Sequence, residues 1–335
     1  MRAYIKGISY YVPNYVLDNE ELNNLFPEWS SDKISNKTGI YERRIAGKEE
    51  FASDMAIKAA EILFEEYQID RNQIDFILLC TQSPDYFLPT TACILQHKLN
   101  IPTSAGALDF NLGCSGYIYG LSLAKGLISA GIAKNVLLIT SETYSKFIND
   151  KDKGNRTLFG DAAAATLITA AEGICEIGEF VLGTDGSGAE NLIVKNGAIR
   201  NKNAVGCNLE MEGEPFRNDD NLYMNGGEIF NFTARSVPEM IEKMLLKTNL
   251  NLDGIDLFIF HQANEFMLNF IRKKIGIPQD KFFLFLKNYG NTVSSTIPIA
   301  MKEAITSGAI KCNNTVLLAG FGVGYSWGSN ILRFK

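Results

Sequence analysis

Short apolar runs punctuate this chain, and amphipathic stretches with apolar positions three and four residues apart separate them. The opening MRAYIKGISYYVPNYV reads as a first strand. Later runs at FILLC (76–80), ALDF (107–110), NVLLIT (135–140), LFIF (257–260) and TVLLAG (315–320) have the length of buried strands. After ALDF, Ile118, Leu121, Ala124 and Ile128 keep helical spacing. The order strand, helix, strand predicts parallel sheets in an α/β architecture. Residues 183–227 break both periods. They are rich in Gly, Asn, Asp and Glu and predict a long surface excursion before a helix that starts near Gly227.

The pattern also repeats. GCSGYIYGLSLAKGLISAG (113–131) aligns without a gap on GNTVSSTIPIAMKEAITSG (290–308). Cys114 then falls on Asn291, and a glycine closes each predicted helix, Gly131 and Gly308. QIDFILLCTQS (73–83) resembles GIDLFIFHQAN (254–264), which sets Cys80 on His261. The expectation is a duplicated chain with halves 1–172 and 173–335. Equivalent loops of two such halves meet near a pseudo-twofold axis, at the strand ends where α/β sheets place their ligand sites.

Composition narrows the class. At 335 residues the chain exceeds what one hydrophobic core usually supports. Its net charge of −6 argues against general nucleic-acid or anionic-membrane binding. No apolar run is long enough to span a bilayer, and the N-terminus lacks the features of a signal peptide, so a cytoplasmic protein is expected. The six cysteines form no C-x-x-C pair, which gives no zinc signal and predicts free thiols.

Cys114 carries the candidate chemistry. It sits between a strand and a predicted helix, where unpaired backbone N–H groups favour a thiolate, the nucleophile of acyl transfer. The competing reading is a small buried core cysteine. His261 stands at the end of an apolar strand, where a satisfied core histidine is the plain alternative. His97, in CILQHKL, reads as a helix-packing residue, and Gly160 and Asp161 as parts of a tight turn.

Taken in order, KTGIYERRIA (37–46), the cysteine helix, LFGDAAAATLI (158–168), YMNGGEIF, HQAN, YGNTVSSTIP and GFGVGYSWGS resemble the thiolase superfamily, and most closely its β-ketoacyl-acyl-carrier-protein synthase III branch. The resemblance implies a five-layered αβαβα fold, usually as a homodimer, and a catalytic set of Cys114, His261 and Asn291. Backbone N–H groups of Cys114 and Val323 would form the oxyanion site, although Val323 stands where glycine is usual. A Cys–His–Asn set differs from the Cys–His–His of elongating synthases and from the second cysteine of thiolases. The glutamate base of hydroxymethylglutaryl-CoA synthase is also missing near Cys80. The implied reaction is a decarboxylating condensation of an acyl thioester with malonyl-acyl-carrier protein. Coenzyme A or phosphopantetheine thioesters would be substrates, with no cofactor or metal.

Several positions depart from the family pattern. Lys33 replaces a tryptophan that stacks on the coenzyme A adenine, and Lys153 replaces its arginine partner; an amine pairs with phosphate but gives no planar stack. Lys37 lies one turn beyond Lys33. Glu265 and Phe266 follow HQAN where an apolar residue and a carrier-docking arginine are common, and Asn231 replaces a basic residue upstream. Arg272, Lys273 and Lys274 remain as a basic cluster for an acidic carrier protein, or as a solvated helix face. Leu88 occupies a position where a phenylalanine often shapes the acyl pocket across the dimer. These departures keep a second hypothesis open, an acyltransferase that passes the group to an alcohol or amine. A third is a non-catalytic thioester-binding relative.

Overall fold

The fold is that of a computed structural model describing residues 1–202, 206 and 218–335, so part of the 183–227 excursion lies outside the described residues. In chain order the strands are β1 (Tyr4–Tyr11), β2 (Tyr15–Asp18), β3 (Glu42–Ile45), β4 (Phe76–Cys80), β5 (Gly106–Phe110), β6 (Asn135–Glu142), β7 (Ala162–Thr169), β8 (Cys175–Thr184), β9 (Leu192–Ile193), β10 (Tyr223–Met224), β11 (Leu257–Phe260), β12 (Thr315–Gly322) and β13 (Ser326–Phe334). The helices are α1 (Asn19–Leu25), α2 (Ser31–Thr38), α3 (Ala52–Glu66), α4 (Thr91–Lys98), α5 (Gly116–Ser129), α6 (Lys153–Arg156), α7 (Gly226–Thr248), α8 (Glu265–Ile275) and α9 (Thr296–Thr306).

The main sheet runs β11-β12-β13-β8-β1-β7-β6-β4-β5. Its two parts, β5-β4-β6-β7-β1 and β8-β13-β12-β11, join through only two residue pairs, Tyr4 with Glu176 and Ile5 with Cys175. The predicted strand–helix–strand units are parallel: β4 pairs parallel with β5 and β6, and β11 with β12. The core separates into layers. Ile118, Leu121 and Ala124 of α5 pack with Ile297, Ala300 and Met301 of α9 between the inner faces of the two parts. Helices α3 and α4 cover one outer face, and α7 and α8 the other. This is the expected αβαβα order, with every layer driven by burial of an apolar stripe or face.

Gly131 and Gly308 end α5 and α9 with φ of +73° and +74°, the left-handed conformation that glycine adopts without strain. The 23-residue α7 begins at Gly226, beside the predicted start. Among the described residues no helix is long and apolar enough to cross a membrane.

The two parts of the chain touch again at a backbone crossing. Asn291 N–H donates to Leu158 O (2.8 Å), and Gly160 N–H donates to Asn291 O (3.0 Å). A Cβ on Gly160 would lie 2.4 Å from the Tyr289 carbonyl oxygen. Gly160→Ala should therefore push the Asn291 segment away and destabilise the fold by about 1–3 kcal/mol. Urea denaturation would read this as a lower midpoint at unchanged slope.

Candidate active site

Cys114 follows the tight turn out of β5 and precedes Ser115, the first residue flanking α5. Strand β12 runs directly against it: a Cβ on Gly322 would sit 3.0 Å from Cys114 Sγ, so only glycine fits. Ser115 Oγ lies 2.5 Å from Ser326 Oγ, which in turn donates to Val323 O (3.1 Å). This chain of hydroxyls ties the Val323 turn to the cysteine. Cys114 is only 7% exposed. Burial, aided by the Glu142 carboxyl, pushes its thiol up to about 12, against the pull of its own backbone N–H. The thiolate expected from the helix terminus is thus not the resting form, because desolvation outweighs the helix field.

His261 leaves β11 with its backbone N–H donating to Ala319 O (2.7 Å). Its Nδ1 lies 2.8 Å from Thr296 Oγ1, whose own hydroxyl donates to Val293 O (3.0 Å). With that hydrogen committed, Nδ1 carries the ring proton and Nε2 keeps its lone pair, an assignment from the hydrogen-bond network. Burial holds the imidazole near pKa 3, against a favourable contact to the Val293 carbonyl, so it is neutral at physiological pH. The remaining HQAN residues are structural. Gln262 Nε2 donates to Phe260 O (2.6 Å) and its Oε1 accepts from Phe285 N–H (2.7 Å). Asn264 caps α8, its Oδ1 accepting from Met267 N–H (2.9 Å).

Asn291 lies on the backbone crossing described above. Its Oδ1 accepts from Val293 N–H (2.9 Å), which leaves Nδ2 as the free donor. Val293 pays for this with a φ of +54°, a left-handed conformation costly for a β-branched residue. Cys114, His261 and Asn291 line one cavity of about 150 Å³, with Phe321 and Gly322 closing it on the β12 side. The cavity brings together the three residues expected from the sequence.

Glu142, at the end of β6, was not anticipated from the sequence. It is fully buried; its Oε1 accepts from Ser294 Oγ (2.8 Å), and its Oε2 from Gln82 N–H (3.0 Å) and Ser83 Oγ (3.3 Å). It thereby joins the turn after β4 to the segment carrying Asn291. Burial outweighs these donors and pushes its carboxyl up to about 8.

Leu158, Met224, Gly226, Asn264 and Met267 also line a wider cavity of about 660 Å³ that opens at Trp29, Lys37 and Phe266. Lys33, Lys37 and Lys153 place their amines 5.4, 4.7 and 6.0 Å from the Trp29 ring. An aromatic ring thus stands beside these amines from position 29, in the bend before α2 and its N-cap Ser30. Phe266 stacks on Phe230 at this mouth (6.0 Å). Arg272 is a correction to the expected basic cluster: it is buried, with Nη1 donating to Ile277 O (2.9 Å). Lys273 and Lys274 sit in the last turn of α8, and Lys274 lines a different groove with Leu245 and Pro278. Leu88 is 87% exposed beside Tyr86 and Phe87. His97 is exposed on α4, away from the site. Asp161 is structural as expected, accepting from the N–H groups of Ala46 (2.8 Å) and Ser145 (2.9 Å). Among the described residues no group of acidic, His or Cys side chains is arranged to hold a metal.

Two family models match the chain: 3-oxoacyl-[acyl-carrier-protein] synthase III over residues 108–186, and the C-terminal region of the same family over 245–334. The chain is 38% identical to the beta-ketoacyl-[acyl-carrier-protein] synthase III of Clostridium perfringens (strain ATCC 13124), covering 98% of both chains. It is 36% identical to beta-ketoacyl-[acyl-carrier-protein] synthase III 2 of Halalkalibacterium halodurans, covering 99% of this chain and 97% of that one. Among solved structures, a 3-oxoacyl-(acyl-carrier-protein) synthase III superposes with a TM-score of 0.97 at 49% identity, covering all of both chains. The Aquifex aeolicus synthase III gives 0.88 at 33% identity, covering 99% of this chain and 100% of that one.

Two outcomes follow from the burial of these groups. With the thiol near 12, roughly one Cys114 in 10⁵ is ionised at pH 7, so alkylation by iodoacetamide should rise about tenfold per pH unit from 7 to 10. A plateau near pH 7 would instead require a Cys114–His261 ion pair. For Glu142 the folded carboxyl, near 8, sits above its unfolded value of about 4.3. Its stabilisation is therefore full below pH 4 and lost as pH rises through 8. The melting temperature of wild type should fall between pH 5 and 9 relative to Glu142→Gln, and calorimetry across that window tests it.

Proposed function

This chain belongs to the 3-oxoacyl-[acyl-carrier-protein] synthase III family, and we propose that it runs the family's reaction through Cys114, His261 and Asn291. The reaction condenses an acyl thioester with malonyl-acyl-carrier protein, releases CO2 and yields a 3-oxoacyl-acyl-carrier protein, the initiating step of fatty-acid synthesis.

In the first half, Cys114 Sγ attacks the acyl carbonyl while its proton passes to the lone pair of His261 Nε2. The backbone N–H groups of Cys114 and Val323 hold the oxyanion. Collapse expels the donor thiolate, which takes the proton back, so neutral reactants give a neutral acyl-cysteine and a thiol. In the second half, malonyl thioester loses CO2 and the electron pair of the broken C–C bond becomes an enolate. Asn291 Nδ2 donates to the enolate oxygen, and His261 Nε2 donates when the ring proton is on that nitrogen. For this second half the ring proton moves from Nδ1 to Nε2, and the Thr296 hydroxyl turns from the Val293 carbonyl to donate to Nδ1. The enolate carbon attacks the acyl-cysteine, and the departing Cys114 thiolate takes a proton from solvent.

The observation that supports this reading most is the Val293 N–H on Asn291 Oδ1, which commits the amide to donating with Nδ2. An acyltransferase to an alcohol or amine would leave that donor without a task. The chemistry needs no cofactor, since the malonyl carboxylate and the thioester supply what is consumed. The wider cavity takes the thioester arm, with Trp29 and the three lysines meeting a nucleotide or a carrier-protein phosphopantetheine.

The proposal includes two halves, 1–172 and 173–335, each contributing one of the central helices α5 and α9. It also includes a homodimer, which would cover the outer edge of β5 and the exposed Tyr86, Phe87 and Leu88. The reaction is assigned to the cytoplasm, with acyl carrier protein as partner and Lys273 and Lys274 as candidate contacts.

Intact-protein mass spectrometry tests the assignment. Wild type should gain one acyl group from a suitable acyl-CoA and lose it on addition of malonyl-acyl-carrier protein, as the 3-oxoacyl product appears. Cys114→Ala should gain none. Asn291→Ala should acylate yet condense more slowly by about 10²–10³-fold; an adduct that survives the malonyl chase in wild type would overturn the reading. Trp29→Ala should raise KM for acyl-CoA several-fold while leaving kcat and reaction with acyl-pantetheine unchanged.

A further inference from the structure

A second cavity, of about 740 Å³, shares no lining residue with the cavity that opens at Trp29. Gln82, Asn111, Tyr144, Phe147, Leu192 and Val323 line it. Leu192 also borders the cavity that contains Cys114, and Tyr144, Leu192 and Val323 pack in one apolar cluster with the cysteine. On the reading above, on which this inference rests, an acyl group on Cys114 Sγ extends into this space.

The cavity is not uniformly apolar. Tyr144 is only 4% exposed, and its ring is held between Phe159 (5.0 Å between centroids) and Phe147 (5.9 Å). Its hydroxyl makes no hydrogen bond with any described residue, and the interactions that act on it are burial and the nearby Cys114 and Glu142. A plain hydrocarbon primer filling the cavity would displace water from this hydroxyl and offer it no partner in exchange. Gln82 and Asn111 extend the polar strip, linked by Gln82 Nε2 to Asn111 Oδ1 (3.3 Å). Val323, whose side chain stands where the pattern has glycine, narrows the space beside the thioester.

We propose that this cavity selects an acyl primer bearing an oxygen function on its chain, a hydroxy- or oxo-acyl group that accepts a hydrogen bond from the Tyr144 hydroxyl. A site built to hydrogen-bond a substrate oxygen discriminates strongly against the analogue that lacks it, because the protein group is then stranded. An unfunctionalised acyl group of the same length gains nothing from that hydroxyl.

The test compares wild type and Tyr144→Phe with butyryl-, 3-hydroxybutyryl-, 4-hydroxybutyryl- and 3-oxobutyryl-CoA as primers, each with malonyl-acyl-carrier protein. Wild type should show kcat/KM at least about tenfold higher for one of the oxygenated primers than for butyryl-CoA. Tyr144→Phe keeps the ring and its packing, so it should lose that preference, with kcat/KM falling more for the oxygenated primer than for butyryl-CoA. Preference of wild type for butyryl-CoA, or an equal effect of Tyr144→Phe on all four primers, would overturn the proposal. Failure of the underlying condensing-enzyme reading is distinct from either: no primer would then yield a 3-oxoacyl product.

Discussion

Desolvation governs this site more than any single contact. The thiol of Cys114, the imidazole of His261 and the carboxyl of Glu142 are all buried, and burial moves each toward its uncharged form. A resting ion pair in such a place carries a desolvation penalty for both charges that opposes its Coulombic gain. The site therefore holds neutral donors and acceptors and meets charge only as substrate brings it. That arrangement suits a reaction whose thiolate, oxyanion and enolate are transient, because preorganised dipoles in a dry enclosure stabilise developing charge without reorganising.

The layered architecture is what makes such burial possible. Helices α5 and α9 lie between the two parts of the sheet, so the residues at their N-termini are carried into the middle of the molecule rather than to its surface. Polar backbone delivered there must be paired. Leu158, Gly160 and Asn291 pair with one another across the chain, and Val293 accepts left-handed strain to keep Asn291 Oδ1 satisfied. Glu142 completes the junction by bonding to Ser294 on one side and the Gln82–Ser83 turn on the other. Positioning and burial are the same feature seen from two sides: each hydrogen bond that orients a reacting side chain also spares a polar group from standing alone.

Much of this was legible in the chain because it is written in periodicity and order. The strand–helix–strand units, the closing glycines Gly131 and Gly308, and the convergence of Cys114, His261 and Asn291 all follow from pattern, and the structure has them. What could not be read depends on where side chains end up. Arg272 looks like a surface cation at the head of two lysines, yet its guanidinium turns inward to the Ile277 carbonyl beyond the end of α8. The helix-terminus argument for a thiolate had the right direction of field and the wrong winner, since sequence does not give the degree of burial. Glu142 and Tyr144 are adjacent to Ser141 and Thr143 in an ordinary-looking segment, and only the fold shows that both face the cysteine's surroundings. Trp29 escaped because it lies before α2, and only the fold turns its ring beside the amines of Lys33 and Lys37.

Two cavities adjoin the small one that holds Cys114, and they differ in character. The one leading to Trp29 is lined at its mouth by Lys37 and the Trp29, Phe230 and Phe266 rings, with Lys33 and the Glu28-paired Lys153 also near the Trp29 ring. The other is walled by apolar side chains with isolated polar groups among them. On the proposed reading, nucleophilic attack parts the two ends of the substrate across one sulfur, the arm leaving by the first cavity while the acyl chain stays in the second. On that reading the ends meet different walls, so substitutions at the mouth would act on how the donor is gripped, and substitutions at Tyr144 or Val323 on which chain is retained. The replacements of the family's usual residues at 33, 153 and 266 and the one at 323 therefore bear on separate specificities. The segment that binds them into one reaction is the short buried stretch from Gly113 to Ser115.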